Sequence, residues 1–110
     1  MIISKNNRRH RRIPYLAPVR ISWEQEGSPA FAIARCIDLS EEGMRIEVAK
    51  AIRPGTRLQI AAEHFKFTGS ASVRRSDRLG SKYMLGLQLT QALLPTKIDE
   101  IEAHPRRSSL

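Results

Sequence analysis

A two-residue hydrophobic period constrains this chain most. Val19, Ile21 and Trp23 alternate with Arg20 and Ser22. Met44, Ile46 and Val48 alternate with Arg45 and Glu47. Tyr83, Leu85, Leu87 and Leu89 repeat the pattern near the end. Period two places successive side chains on opposite faces of a half-buried strand. Three further stretches read as strands: the apolar run Phe31 to Ile37, the short pair Leu58 and Ile60, and the series Phe65, Phe67, Gly69, Ala71 and Val73. Gly69 is expected to mark a bend or bulge in that series.

Turn signals separate these stretches. They are Glu24 to Pro29, Asp38 to Gly43, Arg53-Pro54-Gly55-Thr56, and a loop expected over Arg74 to Ser81. Pro14 and Pro18 sit before or at the start of the first strand, where a missing N–H is tolerated. Pro95 opens one short helix, expected over 95–103, with Ile98 and Ile101 on one side and His104-Pro105 ending it. Six short strands with regular turns predict an all-β sandwich or barrel with a short C-terminal helix. The expected organisation is a flexible basic arm over 1–12, a barrel over 13–94, and a helix and tail over 95–110.

At 110 residues, the chain accommodates one core. No apolar run approaches the roughly 18–20 residues of a membrane helix, and the N-terminus lacks a signal-peptide core. The single Cys36 excludes an internal disulfide and a cysteine-based zinc site. A cytoplasmic location is the expectation.

Charge narrows the partners. The net charge is +8, and fourteen of the nineteen cations are Arg. Six cations, Lys5, Arg8, Arg9, Arg11, Arg12 and Arg20, fall in the first twenty residues with no acid among them. Arginine suits planar, bidentate recognition of phosphates and guanine edges. The partners to consider are therefore a nucleotide, a nucleic acid or an anionic membrane surface.

Catalysis finds little support. His10, His64 and His104 have no metal-ligand spacing, and neither a nucleophile elbow nor a Cys–His or Ser–His pair is suggested. Cys36 and Trp23 read as core residues. Asp38, Glu41 and Glu42 read as a polar turn. No enzyme activity and no metal are expected.

Two motifs stand out. Arg8 and Arg12 form an Arg-x-x-x-Arg pair before the first strand, and Asp38-x-Ser40-x-x-Gly43 lies between the second and third. The Arg pair alone is weak, because Arg53/Arg57 and Arg74/Arg78 share its spacing. The six-residue turn occurs once. Together, in this order and strand context, they resemble the PilZ domain. Arg12-Ile13-Pro14, Ile37-Asp38-Leu39-Ser40, Pro54-Gly55 and Tyr83-Met84-Leu85-Gly86-Leu87 extend the likeness over residues 8–90.

The resemblance implies a six-stranded antiparallel β-barrel that binds cyclic di-GMP without catalysis. It implies binding residues Arg8, Arg12, Asp38, Ser40 and Gly43, with Arg9 as a frequent neighbour. The arm, with no apolar anchor and a run of like charges, is expected to be mobile without ligand and ordered with it, and to signal to a downstream protein partner. The chemistry is compatible. An Arg fork fits guanine O6/N7 or a phosphate, Asp38 can accept from guanine N–H groups or orient an Arg, and Ser40 can donate to a phosphate. Gly43 is expected to set the turn's backbone and admit the ligand. Arg53/Arg57 and Arg74/Arg78 are expected to be solvated charge, with Asp77 available beside the latter pair. The alternative is a small basic nucleic-acid-binding barrel, which expects stacking aromatics on a strand face. Most of the six aromatics instead suit core positions.

Overall fold

The computed structural model describes residues 12–103. The strands are β1 (Ile13–Gln25), β2 (Ser28–Leu39), β3 (Gly43–Val48), β4 (Arg57–Ala62), β5 (Phe67–Leu79) and β6 (Lys82–Leu89). A 3-10 turn, Glu63–Phe65, joins β4 to β5, and the helix α1 (Pro95–Ala103) follows β6. The strands close into an antiparallel barrel in the order β1-β2-β3-β6-β5-β4. Closure leaves little free sheet edge, confined on β1 to the stretch before Arg20 that β4 does not reach. No helix among the described residues is long and apolar enough to cross a membrane.

The two-residue period fills the interior. Ile13, Tyr15, Ala17, Val19, Ile21 and Trp23 of β1 are buried, while Pro14, Leu16, Pro18 and Arg20 face out. Met44, Ile46, Val48, Leu85, Leu87 and Leu89 meet them from β3 and β6. β4 pairs with β1 only at Arg20–Ser22, so Pro14 and Pro18 occupy a stretch where β1 has one neighbour and lacks little by having no N–H. Cys36 is fully buried. Ile98 and Ile101, three residues apart on one helix face, join the same core, as does Leu93.

Some local expectations change. β5 starts at Phe67 and runs through Arg74 to Leu79 in place of the expected loop, so its hairpin with β6 turns at Gly80-Ser81. Phe65 lies in the 3-10 turn. Gly69 pairs in regular register with Ile60, and the irregularity in β5 falls between Val73 and Arg75. Glycine suits position 69 because a Cβ there would lie 2.8 Å from the Phe67 ring. Phe31 and Ile33 project from the outer face of β2, 69% and 64% exposed.

Candidate ligand-binding site

A β-bulge in β2 builds the site. Strict alternation would place Asp38 on the same inward face as Cys36. In β2 the register slips between them: Cys36 pairs with Ile46, but Asp38 pairs with Arg45. One extra residue reverses the facing of everything beyond it. Leu39 therefore turns into the core opposite Met44, and Asp38 joins the outward Arg45.

Asp38 anchors two arginines from different parts of the chain. Arg12, at the entrance to β1, donates from Nη1 to Asp38 Oδ1 at 2.6 Å. Arg45 donates to Oδ2 from Nε at 2.9 Å and from Nη2 at 2.5 Å. The Asp38 side chain is 10% exposed and each arginine side chain 47%. The carboxylate is thus enclosed while both guanidiniums keep an open side. Hydrogen bonding to Asp38, reinforced by its charge, raises the Arg45 pKa. Burial, with the Asp38 charge adding, pushes the Cys36 thiol up to about 12, so this cysteine is a neutral core group.

The turn after Asp38 is closed on itself. Ser40 N–H donates to the Gly43 carbonyl at 2.9 Å, and Gly43 N–H donates to Ser40 Oγ at 3.2 Å. The next strand and the chain after it hold the turn from outside: Leu89 N–H donates to the Glu42 carbonyl and Leu93 N–H to the Glu41 carbonyl. Ser40, only 4% exposed, therefore shapes the turn with its acceptor.

Gly43 is a glycine for a different reason from the one expected. It is not among the glycines at positive φ, which are Gly27, Gly55 and Gly80. A Cβ at Gly43 would lie 2.9 Å from the Leu87 carbonyl oxygen and 3.7 Å from Arg12 Nη2. Close approach to β6, not turn conformation, demands the missing side chain. The same vacancy keeps the space beside Arg12 clear.

The structure thus brings Arg12, Asp38, Ser40 and Gly43 together. Arg8 and Arg9 lie outside the described residues. Arg45 was missed in the sequence because alternation marks it only as outward-facing, and its pairing with Asp38 depends on a bulge that alternation does not reveal. Its position two residues beyond Gly43 was the available signal. The Arg74/Arg78 pair also differs from expectation. Asp77 faces Arg75 at 3.4 Å, Arg78 Nε donates to its hairpin's Gly80 carbonyl, and Arg74 donates to Gln88 Oε1. A groove of about 560 Å³ lined by Leu16, Ile33, Glu47 and Lys82 lies apart from this chemistry. Among the described residues no group of three or more His, Cys, Asp or Glu could hold a metal ion.

A small closed antiparallel barrel with a carboxylate–arginine clamp beside a tight turn defines the class of domain. The PilZ domain model matches residues 6–104, and the chain belongs to the PilZ domain family. Among solved structures, it is similar to the PilZ domain of YcgR from Escherichia coli with c-di-GMP. The TM-score is 0.61 at 18% identity, over 86% of this chain and 85% of that one. It is also similar to YcgR from Escherichia coli in complex with c-di-GMP, at TM-score 0.60 and 18% identity. There it spans 86% of itself but 42% of the longer chain. No curated protein matches it.

Proposed function

We propose that this domain is a non-catalytic receptor for cyclic di-GMP. The observation that carries this reading is the Asp38 clamp. One enclosed carboxylate fixes Arg12, just before β1, and Arg45 of β3, with their open sides beside the Ser40–Gly43 turn. Two pre-oriented guanidiniums suit a ligand with two phosphates and two guanine edges, because holding the forks in place lowers the ordering cost of binding. Arg8 and Arg9 of the arm are expected to add charge to the ligand's phosphates. In this reading residues 1–12 are the arm that carries the Arg-x-x-x-Arg motif, 13–94 the barrel, and 95–110 the terminal helix and tail. The arm closes on the ligand and presents a changed surface to a downstream protein.

The nucleic-acid alternative draws no support from the described aromatics. Tyr15 and Trp23 are buried, Phe67 and Tyr83 are partly buried against the core, and Phe31 stands out. A calorimetric titration with cyclic di-GMP, with GTP and single-stranded DNA as controls, tests the choice. Saturable binding of cyclic di-GMP alone is expected. Preference for the DNA would overturn the reading. Closure of the arm is read separately, as ligand-dependent hydrogen-exchange protection of amides 6–14. Equal protection with and without ligand would contradict it.

A further inference from the structure

The strands overhang one another, so parts of the wall have a neighbour on one side only. On β1 this holds for residues 13–19, before β4 arrives, and on β5 for residues 74–79, past the end of β4. On β2 it holds for residues 28–34, because β3 joins only at Arg35. An open edge pairs with another chain unless proline or charge blocks it. The open stretch of β1 carries Pro14 and Pro18, and that of β5 carries Arg74, Arg75, Asp77 and Arg78. On β2, Pro29 guards only the start. Beyond it Ala30-Phe31-Ala32-Ile33-Ala34 holds neither charge nor proline.

The backbone of that segment faces outward at two large apolar residues. Glu26 and Gly27, at φ 54° and 82°, form the two-residue turn between β1 and β2. Such a turn makes its flanking pair, Gln25 and Ser28, exchange both backbone hydrogen bonds, and bonded pairs then alternate along the ladder. The register is unbroken from there back to Ala17. Ala30, Ala32 and Ala34 therefore bond to β1, while Phe31 and Ile33 direct N–H and C=O to the open edge. Pro18 and Pro29 fall at the positions that do not bond across the hairpin, as their missing N–H requires. No backbone bond among the described residues reaches the open edge at Phe31 or Ile33. Their side chains, 69% and 64% exposed, stand on the outer face of the same segment.

We propose that this edge pairs antiparallel with the same edge of a second copy, about a two-fold axis through Ala32. Phe31 and the partner's Ile33 then exchange both backbone hydrogen bonds, and the symmetry repeats the exchange. Each cross-strand contact joins an aromatic to a β-branched side chain, a favourable pair. The groove of about 560 Å³ that has Ile33, Arg35, Glu47, Ala49 and Lys82 among its walls lies where β3 leaves β2, and it takes the partner's Phe31 ring. Charge favours a second copy at this place. The chain carries +8, so copies repel over most of their surface, but residues 21–34 hold Glu24 and Glu26 and no cation. In this register Arg35 lies opposite the partner's Pro29, whose own neighbour on β1 is Glu24, so the outward row sets an arginine near an acid. Pairing uses up both open edges and stops at two chains. Phe31 is seven residues from Asp38 along β2, roughly 23 Å, so the dimer leaves the Asp38 clamp open and does not depend on the ligand reading.

Sedimentation equilibrium of the full chain without ligand, from about 10 μM to about 1 mM, tests this, because a short edge contact makes a weak dimer. The parent mass is expected to rise with concentration from 12.5 kDa towards twice that value. Phe31→Lys and Ile33→Lys each place a cation at both symmetric contacts, and each is expected to weaken association at least about tenfold. Melting curves establish that both variants fold. Leu94→Lys, the same change at a side chain 68% exposed and off the edge, is expected to associate within about threefold of the parent. Equal losses in all three variants would overturn the edge pairing in favour of charge repulsion. Parent-like association of folded Ile33→Lys and Phe31→Lys would overturn it as well. A parent that stays monomeric up to about 1 mM would overturn self-pairing and leave the edge to a strand of a different protein.

Discussion

Asp38 holds Arg12 on one carboxylate oxygen and Arg45 on the other, tying the start of β1 to the middle of β3 through the end of β2. The two partners are unequal. Arg45 supplies two N–H donors and Arg12 one, and neither guanidinium is fully enclosed. Exposed ion pairs contribute little, and a hydrogen bond to an enclosed carboxylate contributes more.

Arg45→Ala is therefore expected to lower stability by about 1 kcal/mol or less, and Arg12→Ala by less than that. The double variant is expected to lose more than the sum, because Asp38 then has neither arginine as a partner. Urea unfolding of the four proteins measures this. A larger loss for Arg12→Ala than for Arg45→Ala would contradict the geometry.

Gly43 and Gly86 make a matched pair for a second measurement. Gly43→Ala pushes a methyl group to 2.9 Å from a backbone carbonyl, whereas Gly86→Ala makes only ordinary contacts. Overpacking of this kind costs about 1–3 kcal/mol, which at about 4–8 °C per kcal/mol lowers the melting temperature by roughly 4–24 °C. Gly86→Ala is expected to melt within about 2 °C of the parent or above it. Equal melting temperatures for the two alanine variants would show that β6 yields at Leu87.

Cys36 links stability to alkaline pH. Its thiol is pushed up from 9.0 to about 12 in the folded protein. A folded pKa above the unfolded one means the full contribution is present below about pH 9 and is lost as pH rises towards 12. The unfolded chain then releases the thiol proton while the folded chain retains it, with a slope of up to about 1.4 kcal/mol per pH unit. Stability measured by urea between pH 9 and 11 is expected to fall more steeply in the parent than in Cys36→Ala. Parallel slopes would mean that the thiol ionises as readily inside the barrel as outside.

Much of the barrel is legible in the sequence because burial follows a strict period of two. Val19, Ile21, Trp23 and the Met44–Val48 set alternate without interruption, and Pro95 with Ile98 and Ile101 marks the helix. The failures lie where that period breaks for physical reasons. The stretch Arg74 to Leu79 reads as loop because a bulge inserts Arg74 and both faces of the hairpin beyond it are solvated. Phe31 and Ile33 read as ordinary members of an apolar strand, although they face outward. The Asp38–Gly43 turn was visible through its residue types. Its geometry was not, since a bulge turns Asp38 towards Arg45, and Gly43 is required by a carbonyl on a strand more than forty residues away.

The central claim is a specific site built from the arm and the Asp38 turn, and calorimetric titration of cyclic di-GMP against single arginine variants tests it most directly. Arg8→Ala and Arg12→Ala are each expected to weaken binding by at least about tenfold, the loss of one charged hydrogen-bonding contact. Arg53→Ala, equal in charge but on a distant turn, is expected to stay within about threefold of the parent. The same modest loss in all three variants would contradict the account, because it would mean that the ligand responds to overall charge and not to a site.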